Sequence, residues 1–103
     1  MKEAIYEYET PAATYKVYLE TLKYANGRTC VVLKDQNHKQ VAEATCNLAD
    51  QELGPKEVFI KTWGGNEFML QFLNKNHLVQ DTGREIEMGH LKARVVRLLI
   101  DFE

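Results

Sequence analysis

The chain has 103 residues, of which 45% are hydrophobic and 27% charged, a composition typical of one globular domain rather than of a disordered or fibrous protein. With 13 Lys and Arg residues against 15 Asp and Glu residues, the formal net charge of −2 gives no overall attraction to phosphate backbones or anionic membranes. The amino-terminal residues are charged where a signal peptide would be apolar, and no stretch is long enough to span a bilayer. We therefore expect a single cytoplasmic domain over residues 1–103, without membrane contact.

The first third of the chain predicts strands that pair in an antiparallel sheet. Residues 4–9 alternate tyrosines with acidic side chains, and residues 15–24 are rich in alternating aromatic and β-branched side chains, so both segments are predicted as strands. The pair Asn26-Gly27 predicts a type I′ turn that leads into another strand over residues 29–34. The expected result is a β-hairpin with a further strand.

The middle of the chain predicts two more strands and one helix. Residues 41–48 alternate small or apolar side chains with polar ones and are predicted as one strand, and residues 58–60 as a short buried strand. Residues 66–76 are predicted as a helix, with Asn66 as the N-cap and Glu67 near the positive end of the helix dipole. Its apolar face comprises Phe68, Met69, Phe72 and Leu73.

The last part of the chain is predicted to return to the sheet. Asn74 and Asn76 can close the helix, because Asn accepts left-handed backbone angles, and residues 84–88 are predicted as an edge strand. The segment from Leu91 to Phe102 satisfies both strand and helix periodicity, and its β-branched pair favours a strand. The sequence thus predicts an α+β fold, with a mainly antiparallel sheet of five or six strands and one amphipathic helix on one face.

Few residues suggest catalysis. Serine is absent, and the three histidines lie far apart, so we expect no serine nucleophile, no metal site and no cofactor. Gly64-Gly65 is interpreted as a strand-to-helix turn rather than an anion site. Cys30 and Cys46 are interpreted as buried free thiols, and their spacing leaves open whether they are neighbours. A small cysteine-dependent enzyme is the remaining catalytic alternative.

Two groups of residues are candidates for partner binding. Lys92, Arg94 and Arg97 suggest a basic stripe on the last strand, which is the best argument in this sequence for nucleic-acid binding. Trp63, with Asn66 and Glu67, lies at the junction between the fourth strand and the helix. A lone tryptophan there either anchors the helix to the sheet or forms a partner-binding hot spot.

The run from Glu57 to Glu67 (EVFIKTWGGNE), followed by Asp81-Thr82-Gly83-Arg84, resembles a family of small uncharacterised proteins carried on bacterial conjugative elements, plasmids and phages. The similarity also includes Asn47-Leu48 and covers roughly the second half of the chain. The family has no established activity, so the resemblance implies a mobile-element origin and an α+β form, and assigns no catalytic residue.

The expected function is a non-enzymatic binding protein of a mobile element, an inhibitor of host defence of the anti-CRISPR type that acts on a host protein or ribonucleoprotein. A nucleic-acid-binding accessory factor using Lys92, Arg94 and Arg97 is the first alternative. An exposed edge strand would also allow a homodimer, although no residue pattern demands one.

Overall fold

The computed structural model describes residues 4–99 and contains eight strands and one short helix in this range. The strands are β1 (Tyr6–Glu9), β2 (Thr14–Lys23), β3 (Thr29–Lys34), β4 (Gln40–Glu43), β5 (Thr45–Cys46), β6 (Glu57–Ile60), β7 (Val79–Met88) and β8 (Leu91–Leu98), and the helix is α1 (Met69–Lys75). Every strand pair is antiparallel. The predicted α+β class is therefore confirmed.

The strands form two sheets rather than the single sheet of five or six strands that the sequence predicted. The first sheet has the order β1-β2-β3-β4, and the second has the order β5-β6-β8-β7. Among residues 4–99, no helix has the length and apolar character needed to cross a lipid bilayer.

The chain passes from the first sheet to the second at Ala44, which divides the single strand predicted over residues 41–48. The Ala44 N–H donates to the carbonyl oxygen of Val31 in β3, whereas the Ala44 carbonyl accepts from the N–H of Lys61 after β6. Thr45 is buried just after this crossing between the sheets, and its hydroxyl accepts from the Val31 N–H at 3.1 Å. The buried hydroxyl therefore has a hydrogen-bond partner. Alternation alone could not reveal that break, because both halves keep strand geometry.

The hairpin between β2 and β3 is present, but its turn is not the predicted type I′. Only Gly27 has a positive φ, of 84°, whereas type I′ needs positive values at both central residues. The N–H of Gly27 donates to the Tyr24 carbonyl and the N–H of Tyr24 to the Arg28 carbonyl, the bonding of a three-residue loop closed by a glycine bulge.

The main core lies between the two sheets and also includes the helix. Alternate residues of β2 and β3, on the first sheet, pack with alternate residues of β6 and β8 on the second. Phe72 of α1 packs edge-on against Tyr8 of β1, with ring centroids 5.2 Å apart. The fully buried members of this core include Val17, Leu33, Ile60, Met69, Leu73, Leu78 and Val96.

A smaller core covers the other face of the second sheet. It is built on Phe59, Ala93 and Val95, which alternate with residues of the main core. The loop after β5 adds apolar side chains, and Trp63 packs here too. Trp63 therefore belongs to the core behind the second sheet and not to the core that holds α1, so the predicted anchoring of the helix by Trp63 is wrong.

The helix is shorter than the predicted segment 66–76. Its N-cap is Phe68, which makes no side-chain capping bond, whereas the Asn66 side-chain amide donates to the Glu43 carbonyl at 2.6 Å. The predicted N-cap role of Asn66 is therefore wrong, and Glu67 precedes the cap. At the other end, the Asn76 side chain bonds the Phe72 carbonyl, but the left-handed residue is His77, with φ of 57°.

The segment from Leu91 is a strand as favoured, and it ends at Leu98; residues 100–102 of the predicted element lie outside the described residues. Its partner β7 is longer than the predicted segment 84–88. A register shift between Asp81 and Arg84 interrupts the pairing of the two strands, and Gly83, with φ of 82°, lies within it.

Candidate functional site

A candidate site is an open cleft of about 910 Å³ between β4 and the segment that precedes α1. One wall consists of residues 39–43, which include the whole of β4, and the opposite wall consists of residues 64–68. Residues 10–12, in the loop between β1 and β2, also line the cleft. The site therefore joins parts of the chain that are far apart in sequence.

The wall opposite β4 is held by a glycine turn and one side-chain bond. Gly64 and Gly65 have φ values of 63° and 94°, which L side chains rarely adopt, so the predicted strand-to-helix turn is confirmed. Asn66 is buried, and its amide donates to the Glu43 carbonyl, tying the turn to β4. The Asn66 bond therefore joins the segment after the glycine turn directly to β4.

The edge of β4 faces this cleft with its backbone. Because the Ala44 N–H points to Val31, and Leu33 lies opposite Ala42, the intervening residue Glu43 directs its N–H and carbonyl away from β3. The Glu43 carbonyl accepts from Asn66, whereas no strand within residues 4–99 pairs with this side of β4. The Glu43 N–H is therefore a backbone donor available at the cleft.

Tyr8 contributes a buried hydroxyl to the site. The Tyr8 side chain lines the cleft and is 2% exposed, and its hydroxyl has no hydrogen-bond partner among residues 4–99. Burial, followed by the nearby negative charge of Glu67, raises the pKa of Tyr8, so the phenol is protonated at neutral pH. An unpartnered donor in such a position is rare in folded proteins and requires an explanation.

The charged side chains of the cleft differ in whether they already have partners. The Asp35 carboxylate accepts from the backbone N–H groups of Lys39 and Asn37, and these bonds lower the pKa of Asp35. The Glu43 carboxylate points to the other face of the sheet and accepts from the Tyr24 hydroxyl at 2.6 Å. In contrast, Lys39, Lys61 and Glu67 have no ion pair or side-chain hydrogen bond among the described residues.

Only two of the six residues selected from the sequence line this cleft, namely Asn66 and Glu67. Trp63 lies behind the second sheet, and Lys92, Arg94 and Arg97 lie on β8. The sequence did not indicate Tyr8, Lys39 or Lys61, because their role depends on the meeting of the β1–β2 loop with β4 and the glycine turn. The only local signal of a site at this place was the pair Gly64-Gly65, which follows Lys61 closely in the sequence.

The three basic residues of β8 do not form the predicted stripe. Lys92 and Arg94 share one face of the strand, whereas Arg97 lies on the opposite face. Arg94 bonds Asp81 at 2.9 Å and Glu85 at 3.1 Å, which neutralises its charge locally. Lys92 lies directly opposite Glu87 in the pairing of β8 with β7. This face is therefore of mixed charge.

Both cysteines are free thiols, and Cys30 is buried as predicted, while Cys46 is partly exposed. Desolvation raises the pKa of Cys30, and it raises the pKa of Cys46 to about 11. Cys30 also donates weakly to the Glu43 carboxylate, at 3.6 Å. A thiolate is thus disfavoured at neutral pH at both positions.

Among residues 4–99, no group of three or more His, Cys, Asp or Glu side chains is arranged so that it could hold a metal ion. The cleft offers backbone and side-chain donors, two ammonium groups and one free carboxylate. Such a set of groups can bind a polar or anionic partner surface.

No family model, curated protein or solved structure matches this chain.

Proposed function

We propose that this chain is a non-enzymatic binding protein of the cytoplasm that acts by contact with another protein, and that the cleft beside β4 is its binding site. The resemblance of its second half to mobile-element proteins extends the proposal to a role as an inhibitor of host defence, of the anti-CRISPR type. The partner in that case is a host protein or ribonucleoprotein.

The observation that supports the binding site is the combination of exposed aromatic rings with unpaired charges around one cleft. Tyr15 and Phe68 line it and are 38% and 36% exposed, although large aromatic side chains are usually more buried. Lys39, Lys61 and Glu67 are in the same cleft and form no ion pair with any other residue that the structure describes. Protein interfaces commonly combine aromatic anchors with a polar rim, and this cleft has both components.

The thiol pKa values favour binding over cysteine chemistry, because a nucleophilic cysteine needs a lowered rather than a raised pKa. The ion pairs of Arg94 likewise weaken the case for a nucleic-acid-binding factor. That alternative requires an affinity for DNA or RNA that falls steeply with salt.

Interference assays provide the test. Purified protein is added to reactions of Cas nucleases and restriction enzymes, beside the charge-reversal variant Lys61→Glu and the matched control Lys23→Glu at the distant end of β2. We expect inhibition by the natural chain and by the control, with at least about a tenfold loss in the cleft variant. Absence of inhibition of every nuclease would reject the defence role, and equal inhibition by both variants would reject the cleft.

A further inference from the structure

We infer that residues 47–54, which follow β5, form a strap that opens as a unit from the second sheet and exposes the smaller core while both sheets stay folded. Two arginines outside the strap, Arg28 and Arg84, hold it in the closed position. The inference does not depend on the proposed function, because no residue of the strap lines the cleft beside β4.

The backbone of the strap belongs to neither sheet. Residues 47–54 contain no strand and no helix. Within the described part of the chain, their backbone-to-backbone hydrogen bonds run from the Gln51 N–H to the Leu48 carbonyl and from the Glu57 N–H to the Gly54 carbonyl. These bonds close turns inside the strap and at its end. Opening of the strap therefore breaks no hydrogen bond between strands.

Arg28 holds the first half of the strap from the first sheet. It directly precedes β3, and its guanidinium donates to the carbonyl oxygens of Leu48, at 2.8 Å, and of Gln51. The same guanidinium lies over the ring of Phe59 in β6, 5.9 Å from the ring centroid. Hydrogen bonds from a charged donor are stronger than those between neutral groups. Arg28 is thus the main contact that fixes this half of the strap over the second sheet.

Arg84 holds the second half of the strap from β7. Its guanidinium donates to the Glu52 carbonyl at 2.8 Å, and this bond is exposed to solvent. An exposed bond between the side chains of Asn26 and Asn47, at 3.2 Å, adds a neutral contact at the beginning of the strap. Water can replace both of these bonds when the strap moves, so opening leaves no buried polar group without a partner.

The packing beneath the strap is limited. Leu48 and Leu53 are its apolar contacts with the smaller core, and both side chains are only half-buried. A cavity of about 370 Å³ lies between strap residues 47–51 and residues 86–88 of β7. Protein interiors are close-packed, so this space shows that the strap and β7 pack loosely. Few buried apolar contacts and exposed hydrogen bonds are typical of segments that open locally.

Opening changes the character of one face of the second sheet. The closed strap presents the exposed side chains of Asp50 and Glu52 to solvent. When it opens, its two leucines leave the smaller core, which consists of Phe59, Ala93 and Val95 and is closed to solvent in the folded chain. A polar face is thereby replaced by an apolar one.

Amide hydrogen exchange of the natural chain, measured in rising urea below the unfolding transition, tests the inference directly. The N–H groups of Gln51 and Gly54 are both hydrogen-bonded and report on the strap. We expect them to exchange at least about tenfold faster than the amides of β3 and β8, and with a weaker dependence on urea, because local opening exposes less surface than unfolding does. The same urea dependence for strap and strand amides would overturn the inference.

Arginine variants test what holds the strap. We expect Arg28→Gln and Arg84→Gln each to accelerate exchange at Gln51 and Gly54 by at least about tenfold, because a charged hydrogen bond is lost. The control is Arg97→Gln, since the Arg97 side chain donates to Gln80 and not to the strap, and here we expect a change of at most about twofold. Unchanged exchange in the strap, or acceleration of the β3 and β8 amides by the same factor, would contradict the inference. If a variant does not fold, the urea series on the natural chain decides alone.

Discussion

The side-chain amide of Asn66 donates to the backbone carbonyl of Glu43 at 2.6 Å, across 23 residues of sequence. Asn66 stands at the start of the turn into α1, and Glu43 is the last residue of β4. One hydrogen bond therefore connects the two walls of the cleft. Because Asn66 is buried, neither group has water as a substitute partner.

Replacement of Asn66 should reduce stability as well as change the cleft. We expect Asn66→Ala to lower the free energy of unfolding by about 1–3 kcal/mol, because the Glu43 carbonyl is left without its donor. Asn66→Asp should lower it further, because a carboxylate would face a carbonyl oxygen. Urea denaturation measures the free energy of unfolding of both variants. The control is Asn37→Ala, at an exposed position, whose free energy of unfolding should stay within about 0.5 kcal/mol of that of the natural chain. Equal stability of Asn66→Ala and the control would contradict the structure.

Tyr8→Phe should stabilise the chain. The change removes a buried hydroxyl that has no partner and keeps the ring that packs on Phe72, so we expect the free energy of unfolding to rise by about 1–3 kcal/mol. Tyr24→Phe is the matched comparison: the Tyr24 hydroxyl bonds Glu43 and Thr45, and its removal should lower stability by a similar amount. The midpoints of thermal and urea unfolding should rise for Tyr8→Phe and fall for Tyr24→Phe. A loss of stability with Tyr8→Phe would show that its hydroxyl has an acceptor.

The Asp81–Arg94 pair should make stability depend on acid pH. The hydrogen bond from Arg94 lowers the pKa of folded Asp81, so ionised Asp81 contributes stability above the unfolded value of about 3.9. That contribution is lost as the pH falls through the lowered folded value. Since both side chains are roughly one-third exposed, we expect about 1 kcal/mol or less.

Asp81→Asn should therefore reduce the loss of unfolding free energy between pH 7 and pH 2, whereas Asp50→Asn, on an exposed residue, should not. Urea titrations at several pH values measure the difference. An identical pH profile for Asp81→Asn and the natural chain would exclude a lowered pKa at Asp81.

The two thiols should react slowly in the native chain. Because burial raises the pKa of Cys46 to about 11, little thiolate exists at pH 8, and we expect alkylation by iodoacetamide to be roughly a hundredfold slower than in the urea-unfolded chain. The rate should rise as the pH approaches 11. Mass spectrometry of the digested protein separates the rates at Cys30 and Cys46. If either thiol of the native chain reacts fully below pH 8, the alternative that the protein is a cysteine-dependent enzyme gains support.

Much of the secondary structure could be predicted, because strand alternation and helix periodicity are recorded within short segments of the chain. Residues 29–34 and the strand beginning at Leu91 illustrate this, since their β-branched residues suit an extended backbone. The Gly64-Gly65 turn could also be predicted, as two residues without Cβ tolerate positive φ. Asn66 was predicted as the N-cap of the helix, but its side chain bonds Glu43 in β4, a partner that no local rule identifies.

The sequence by itself determined the α+β class, the antiparallel pairing of consecutive segments and a single amphipathic helix, because each of these depends on neighbours only a few residues apart. The tertiary structure alone decided that Ala44 divides one strand between two sheets, that Arg94 is paired, and that Tyr8, Lys39 and Lys61 line one cleft. The physical reason is that those arrangements depend on contacts between distant segments, such as Lys75 with Glu9, 66 residues away. Packing of the shared core brings such segments together, and local propensity does not encode which of them will meet.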